Sequence, residues 1–477
     1  MQPKKNLVTR WNKFWFKESS GRPEALFRIA FSTILLFDIL GFRDRLDFFF
    51  SNQELHIPSI LDPLYSSFTI HILYVFWIFT LLFLIAGFFT RISAVLNLFF
   101  VIYFIGCRHE VISHATDWIM QPMAFYLALM ESGARLSLDK KYRRNPQKSF
   151  SVWPVRLAQI HLAVMYFTAG LFKIIDPEWI NGHALRETLM NPILSYFDFG
   201  WLEPHKFLLV FINYAIIAWE LTFPAQLIFK KIRRRALIIA VIFHVLIAFA
   251  IRVEWFSEYF LASLLLFIDD LGIKKWESKK YSILAPRMQI PFIYGFLCFH
   301  FIALFWGETK YFFTKKIPIV SQYANWVIGI EPLDVWPGSF LLKPIRFLYI
   351  EALRQDGSAR PLPPFNLNGE FAPGIQLVKE AREGFIMIRI AHGIRLTEKQ
   401  WEVYAAHLVW LYQKTYGPEC PKQIRIYRIN ANLEEFGDRP KAFHVPKKLI
   451  AVADITCKEN RVQEIKVLLE SEKDFPG

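Results

Sequence analysis

The sequence predicts a mainly α protein, a polytopic bundle of about nine transmembrane helices followed by a C-terminal extramembrane α+β domain. Of 477 residues, 54% are hydrophobic, 48 are Phe and 15 are Trp, and the mean hydropathy is +0.26. Soluble domains rarely reach this composition. Long apolar segments recur through the first part of the chain, and shorter alternating segments follow. The first pattern is typical of membrane helices and the second of strands.

Nine apolar segments are candidates for membrane spans, because a spanning helix needs about 20 mostly apolar residues. Three of them are short, and these either extend into flanking residues or lie between other helices. The segments are 24–42, 68–89, 92–106, 119–131, 152–173, 207–229, 236–252, 255–268 and 288–306.

The distribution of basic residues predicts the orientation. With nine spans, the Lys/Arg clusters at 134–148, 230–235 and 270–280 lie on the same side as the basic N-terminal arm. Such clusters mark cytoplasmic loops. We therefore expect an integral membrane protein with its N-terminus cytoplasmic and its C-terminal domain on the outer side, in a periplasm-like or lumenal space. The net charge of +14 then needs no nucleic-acid partner, since no basic helix interleaved with aromatic residues is present.

The sequence divides the chain into four predicted parts. The last part contains two strand-like segments, "FIMIRIA" (385–391) and "KQIRIYRI" (422–429), and an amphipathic segment (397–417) opened by a Thr-x-x-Gln cap at 397–400. The parts are a basic cytoplasmic arm (1–23), the membrane bundle (24–306), an interfacial segment and linker (307–369) and a small α+β domain (370–477).

Four cysteines occur, and their spacing fits no metal site. In the predicted topology Cys107, Cys420 and Cys457 face an oxidising compartment. A disulfide among them, such as Cys420–Cys457, and buried thiols are alternative interpretations.

Ionisable and polar residues inside spans are costly and often functional. Asn213 and Glu220 are seven residues apart and share a helix face, so they either link helices by hydrogen bonds or belong to a site. His244 is either a buried histidine bonded to a neighbouring helix or a site residue. The polar residues within the predicted spans include Arg28, Asp38, Arg156, Gln159, His161, Lys173, Asn213, Glu220 and His244.

The predicted outer loop 107–118 carries His109, Glu110, His114 and Asp117. Their spacing does not match a zinc site, so we expect no metal. Histidines that donate hydrogen bonds or act as general acid and base explain the loop better.

The stretch "YFTAGLFKIIDPEWINGHAL" (166–185) places Lys173 at the end of an apolar segment. Tyr166, Gly170 and Lys173 share one helix face, and Gly170 permits close approach of a neighbouring helix or a flat ligand. Lys173 either extends to the membrane surface or is a buried amine that acts as a base. Asp176 is a candidate partner for its ammonium.

This stretch resembles the signature of the vitamin K-dependent γ-carboxylase family and of bacterial proteins with a horizontally transferred transmembrane (HTTM) domain. The segments "ALFRIAF", "WELTFPAQLIF" and "FHVLIAFAI" are also similar, and the resemblance covers about residues 20–310. The matching residues of the signature are Ala169, Gly170, Lys173, Asp176, Trp179, Gly182, Ala184 and Leu185.

The resemblance implies a membrane lyase that uses a hydroquinone (reduced vitamin K or menaquinol), O2 and CO2, and no metal. Lys173 would deprotonate the hydroquinone, and quinone epoxidation would drive carboxylation of a Glu-containing protein. His114 is the first match to the family's functional histidine, and His109 the second. The implied partners are the bilayer and an isoprenoid quinone. The implied quinone pocket contains Tyr166, Gly170, Asp176, Trp179, His161, Glu220 and His244.

The sequence also departs from the family. Phe172 replaces the first residue of a dibasic pair, the region after Trp326 is altered, and the C-terminal region is shorter than in animal enzymes. Two alternatives therefore stay open beside the carboxylase: a relative that only forms the epoxide, and a non-catalytic membrane protein that binds a quinone, a lipid or a protein partner.

Overall fold

The computed structural model describes most of the chain. α-Helices fill the first three fifths, and one antiparallel sheet lies near the C-terminus. The described residues are 7–51, 65–106, 115–142, 151–190, 194–271, 289–309, 345–362, 397–431, 448–458 and 461–468.

Every predicted span contains a helix, because each apolar segment has the length and composition that favour one. Short helical turns at Arg43–Arg45 and Asp47–Ser51 follow the second helix. The α-helices are α1 (Leu7–Phe16), α2 (Arg22–Leu40), α3 (Ser67–Ala86), α4 (Thr90–Phe104), α5 (Asp117–Leu129), α6 (Leu138–Tyr142), α7 (Trp153–Ile175), α8 (Pro177–Ile180), α9 (Ala184–Met190), α10 (Lys206–Ile228), α11 (Lys230–Ala250), α12 (Phe256–Leu264), α13 (Gln289–Thr309) and α14 (Glu398–Tyr416).

Nine spans are not supported, however. Among the described residues three helices are long and apolar enough to cross a membrane: Ser67–Ala86, Trp153–Ile175 and Gly200–Ile228. Helix α2 is too charged, since it contains Glu24, Arg28 and Asp38, and α11 begins with a basic run. Helices α4, α5 and α12 are too short to cross about 30 Å at 1.5 Å per residue.

Two of the charged residues of α2 have structural partners. Arg28 is buried and donates to the carbonyl oxygens of Ser132 and Leu136. The hydroxyl of Tyr259 donates to the carboxylate of Asp38 at 3.0 Å. These contacts tie α2 to neighbouring segments, so we assign Arg28 and Asp38 to the structure of the bundle.

The first helix is part of the bundle. Trp15 and Phe16 of α1 are buried, and the Trp15 ring meets Phe301 of α13 edge-on at 6.3 Å between centroids. The hydroxyl of Tyr294 donates to Asn12 at 2.5 Å. The interval predicted as a basic arm therefore folds in part against the last helix of the bundle.

The C-terminal domain is a five-stranded antiparallel sheet in the order β2-β1-β3-β4-β5, with α14 packed against it. The capping box of Thr397 and Gln400 opens α14, as the sequence indicates. The predicted strand "FIMIRIA" lies outside the described residues. The strands are β1 (Ile345–Leu353), β2 (Ala359–Leu362), β3 (Gln423–Ala431), β4 (Lys448–Lys458) and β5 (Arg461–Val467).

The sheet begins earlier than the predicted boundary at 370. Strand β1 lies in the interval that we expected to be interfacial, because its aromatic residues are also typical of a membrane surface. Its register with β3 instead pairs Tyr349 with Tyr427, and Leu348 and Ile350 are buried. Burial on the sheet therefore explains the apolar character of this segment.

The domain contacts the bundle near the end of α2. Lys414 of α14 lies 2.7 Å from Asp44, and the His407 ring stacks on Phe48 at 3.8 Å. Hydrogen bonds from Arg43 and Lys414 lower the pKa of Asp44 to about 2. The Asp44 carboxylate therefore remains charged over the physiological pH range and can keep its contact with Lys414.

Cys420 and Cys457 are buried neighbours in this domain, and the structure holds both as thiols. Of the two alternatives for this pair, a disulfide and buried thiols, the structure has the second. Burial, followed by the interaction with Cys420, raises the pKa of Cys457 to about 12. Because the thiolate is the reactive form, this cysteine is protected at neutral pH.

Candidate functional site

The site is built where α7 ends. Pro177 disfavours helical backbone at the residue before it, so α7 stops at Ile175 and the chain turns. Asp176 caps the next short helix by accepting a hydrogen bond from the Glu178 amide at 2.8 Å. The carboxylate that we considered as a partner for Lys173 thus has a local role in the turn.

Asn213 of α10 fastens this turn to the bundle. Its side-chain amide donates to the Trp179 carbonyl at 2.9 Å and accepts from the Leu185 amide at 3.3 Å. Asn213 is fully buried, so these bonds satisfy a costly polar group. Of the two interpretations of Asn213, the structural link between elements is the one that the geometry supports.

Lys173 points into the protein. Its Nζ lies 2.8 Å from Glu220 Oε2, and the two side chains are 8% and 4% exposed. The ammonium nitrogen also lies 4.9 Å from the centroid of the Trp179 ring, within the range of a cation–π contact. An anchor at the membrane surface would be exposed, so the geometry favours a buried role for this lysine.

A second polar pair lies beside the first. Tyr166 Oη is 2.6 Å from His244 Nε2, and both side chains are buried. The imidazole stacks on Phe260 with 4.4 Å between ring centroids, which fixes its plane. Within the described residues, His244 Nδ1 and the indole N–H of Trp179 are buried without a hydrogen-bond partner. Buried polar atoms of this kind are uncommon and suit a bound ligand.

These residues enclose a cavity of about 80 Å³. Apart from Thr188, the wall around the two polar pairs is apolar and aromatic, an arrangement typical of ligand sites. The lining residues are Met165, Tyr166, Ala169, Lys173, Trp179, Leu185, Thr188, Ile216, Glu220, Phe243, His244, Ile247, Ile251, Phe256 and Phe260.

The structure brings together most of the residues predicted for the pocket. Tyr166, Lys173, Trp179, Glu220 and His244 line the cavity. Gly170 lies behind it, at the contact between α7 and α10, and Asp176 caps the turn below. The aromatic side chains Phe243 of α11 and Phe256 and Phe260 of α12 were not predicted for this pocket, because sequence spacing does not reveal which helices meet.

His161 does not belong to this pocket, contrary to the prediction. It lies twelve residues before Lys173 on α7, which is about 18 Å along the helix axis. Its Nδ1 is 2.5 Å from the hydroxyl of Tyr126, which also lies 2.9 Å from His300 Nε2. His161 therefore belongs to a separate buried network between α5, α7 and α13. His109 and His114 lie outside the described residues.

One cluster near the turn has atoms close enough to hold a cation. Ligand atoms of Glu178, His183 and Glu187 lie within 4.8 Å of one another. His183 Nδ1 and a Glu178 oxygen are 3.8 Å apart, and the His183 side chain is 54% exposed. A histidine and an acid in this position also form an ordinary ion pair, so the cluster does not require a metal.

Gly170 provides a test of the close contact between α7 and α10. A Cβ at this position would lie 2.9 Å from both the backbone nitrogen and Cγ of Leu221. We expect Gly170→Leu to lower the free energy of unfolding in detergent by about 3 kcal/mol, because the helices must separate. Gly295→Leu is the matched control, since a Cβ there meets nothing within 4 Å. Equal thermal stability of the two variants would contradict this close packing.

Comparison with known proteins agrees with the helical bundle. A family model described as the HTTM domain matches residues 16–270, more than half of the chain. No curated protein and no solved structure matches. The matched region contains α2 to α12 and all residues that line the Lys173 cavity. The chain belongs to the HTTM domain family.

Proposed function

We propose that this protein is a membrane enzyme of the vitamin K-dependent γ-carboxylase type, in which Lys173 removes a proton from an isoprenoid hydroquinone. One observation carries the proposal: the Lys173–Glu220 pair is buried in an apolar cavity beside the Tyr166–His244 pair. The cellular setting that we propose is a bacterial inner membrane, with the N-terminus cytoplasmic and the C-terminal domain periplasmic.

The residues present suit a hydroquinone headgroup. Trp179, Phe243 and Phe256 offer aromatic surface to a flat ring, and Lys173 and His244 Nδ1 offer polar atoms to its hydroxyl groups. The cavity of about 80 Å³ is smaller than the roughly 150 Å³ that holds benzene, so binding requires the wall to open. Phe243 is one of the half-buried residues of this wall.

Glu220 allows Lys173 to act as a base. The 2.8 Å contact lets one proton move between the two groups. The amine then accepts a proton from the ligand hydroxyl, and the Trp179 ring stabilises the ammonium that forms.

The Tyr166–His244 bond orients the second polar group. With Nε2 engaged by the Tyr166 hydroxyl, Nδ1 is the nitrogen that remains for a ligand. When bound, the reduced quinone supplies the acidic hydroxyl and the electrons for reaction with O2. The apolar wall excludes water. Water would otherwise protonate the strong base that the oxidation of the quinone produces, and CO2 addition to a protein glutamate depends on that base.

A second candidate function is supported by the same ion pair. The 2.8 Å contact between Lys173 and Glu220 is also compatible with a purely structural link between α7 and α10. In that case the protein would bind a quinone or lipid in the cavity without turnover.

The test uses purified full-length protein in lipid nanodiscs, supplied with reduced vitamin K or menaquinol and O2. We expect quinone epoxide by chromatography and, with labelled bicarbonate and a Glu-containing peptide, incorporation of label into the peptide. Epoxide without label would identify a relative that performs only the oxidation. Saturable quinol binding without either product would reject the enzyme and support the second candidate.

A further inference from the structure

We propose that Trp179 acts on both charges that proton transfer creates in the Lys173 cavity. Its ring face holds the lysine ammonium, and its indole N–H donates to the ligand oxygen that has lost the proton. This inference deepens the proposed function and rests on it for the nature of the ligand, an acidic aromatic hydroxyl. It makes Trp179 a hydrogen-bond donor in the reaction, in addition to the aromatic surface that it offers.

The face of the Trp179 ring is turned toward Lys173. The ammonium nitrogen lies over the ring at 4.9 Å from its centroid, and Trp179 is 4% exposed. An aromatic ring is negative on its face and positive at its edge. The N–H bond lies in the plane of the indole, so it points roughly at right angles to the direction of Lys173. The ring can therefore meet a cation on its face and an anion at its edge at the same time.

The indole N–H of Trp179 is available to a ligand. Nε1 is buried without a hydrogen-bond partner among the described residues, and the residue lines the cavity. Trp77 shows the alternative, since its Nε1 donates to Asn97 Oδ1 at 3.0 Å. A buried donor without an acceptor is costly, and a ligand oxygen would remove that cost. The other described indoles with such an N–H do not line this cavity: Trp15, Trp118 and Trp219.

Trp179 is held in place before any ligand arrives. The side-chain amide of Asn213 donates to the Trp179 carbonyl at 2.9 Å, which fixes the backbone. The indole packs in a small apolar cluster with Ala184 and Ile217. A donor that is already in position stabilises developing negative charge without a cost of reorganisation. The same geometry suits a residue that acts during proton transfer.

Proton transfer turns a neutral amine and a neutral hydroxyl into two ions. The O–H bond of the ligand breaks, its electron pair stays on the oxygen, and the proton binds Nζ of Lys173, whose own proton has passed to Glu220. Ions created in an apolar cavity are costly unless each finds a partner. Trp179 supplies both partners, the ring face to the ammonium and the N–H to the oxygen.

The test uses 4-nitrophenol, whose ionised form absorbs visible light, with the purified full-length protein in nanodiscs. We expect the unmodified protein to bind the ionised form at a pH at which the free probe is neutral. Trp179→Phe keeps an aromatic face, and replacement of Trp179 by 3-benzothienylalanine, which has sulfur in place of N–H, removes only the donor. Both variants should bind the ionised probe at least about tenfold more weakly, the effect of losing a hydrogen bond to a charged group.

Two controls isolate the donor. Trp201→Phe changes an exposed indole outside the cavity and should leave binding unchanged. 4-Nitroanisole has no hydroxyl to ionise, and it should bind equally to the unmodified and the benzothienylalanine proteins. The proposal is overturned if the benzothienylalanine protein binds the ionised probe normally, or if nitroanisole binding or Trp201→Phe shows an equal loss. It is also overturned if the unmodified protein binds the probe in its neutral form or not at all.

The probe assay does not depend on turnover, so it separates this inference from the proposed function. A protein that binds the ionised probe through Trp179 but forms no epoxide from quinol would support the inference and reject the enzyme. Epoxide formation at an unchanged rate in the benzothienylalanine protein would support the enzyme and overturn the inference.

Discussion

Lys173→Met is expected to reduce the rate of epoxide formation by about 10²- to 10⁴-fold, the usual contribution of a positioned general base. Met keeps the length and apolar stem of the lysine but cannot accept a proton. The measurement is the initial rate of epoxide production at saturating quinol in nanodiscs.

Lys206→Met is the matched control, because Lys206 is exposed at the start of α10 and lies outside the cavity. It should retain the full rate. An unchanged rate in Lys173→Met, with quinol binding intact, would remove Lys173 from the mechanism.

Glu220→Leu is expected to lower the free energy of unfolding by about 3–5 kcal/mol, the cost of leaving a buried charge without its partner. Lys173, which is 8% exposed in the unmodified protein, would then lie beside an apolar side chain instead of a carboxylate. Adding Lys173→Met should restore most of this stability, because the double variant buries two apolar groups in place of an ion pair. Denaturant-induced unfolding in detergent, followed by Trp fluorescence, measures the four proteins.

The same four proteins separate the two candidate functions. If the pair is only a structural link, Lys173→Met/Glu220→Leu behaves as the unmodified protein in every assay, including quinol binding. If Lys173 is the base, the double variant is stable and forms no epoxide. A double variant as unstable as Glu220→Leu would show that the ion pair does not account for the stability at this position.

Local signals in the sequence were sufficient for much of the fold. The apolar segments predicted the positions of the bundle helices, and the Thr397–Gln400 pattern predicted the start of α14. These features depend on residues close in the chain, where periodicity and caps act directly. The number of crossings did not follow, because an apolar segment can form a helix that is too charged to span, as α2 is with Arg28 and Asp38, or too short, as α4, α5 and α12 are.

The candidate site shows the same limit. The face shared by Tyr166, Gly170 and Lys173 was evident from spacing, but spacing does not show that this face meets Glu220 on α10 or His244 on α11. Asp176 was a reasonable partner for Lys173 by proximity along the chain. The turn at Pro177 instead uses its carboxylate as a cap, which leaves the pairing to a more distant residue.

The contact between α1 and α13 has a consequence for biosynthesis. Trp15 and Asn12 are made before the rest of the bundle, whereas their partners Phe301 and Tyr294 lie beyond the end of the HTTM match at 270. The bundle can therefore close only after α13 has left the ribosome, and the nascent α1 must wait in a partly exposed state. A chain truncated at the family boundary would lack this closure, so the folding unit extends beyond the recognisable domain.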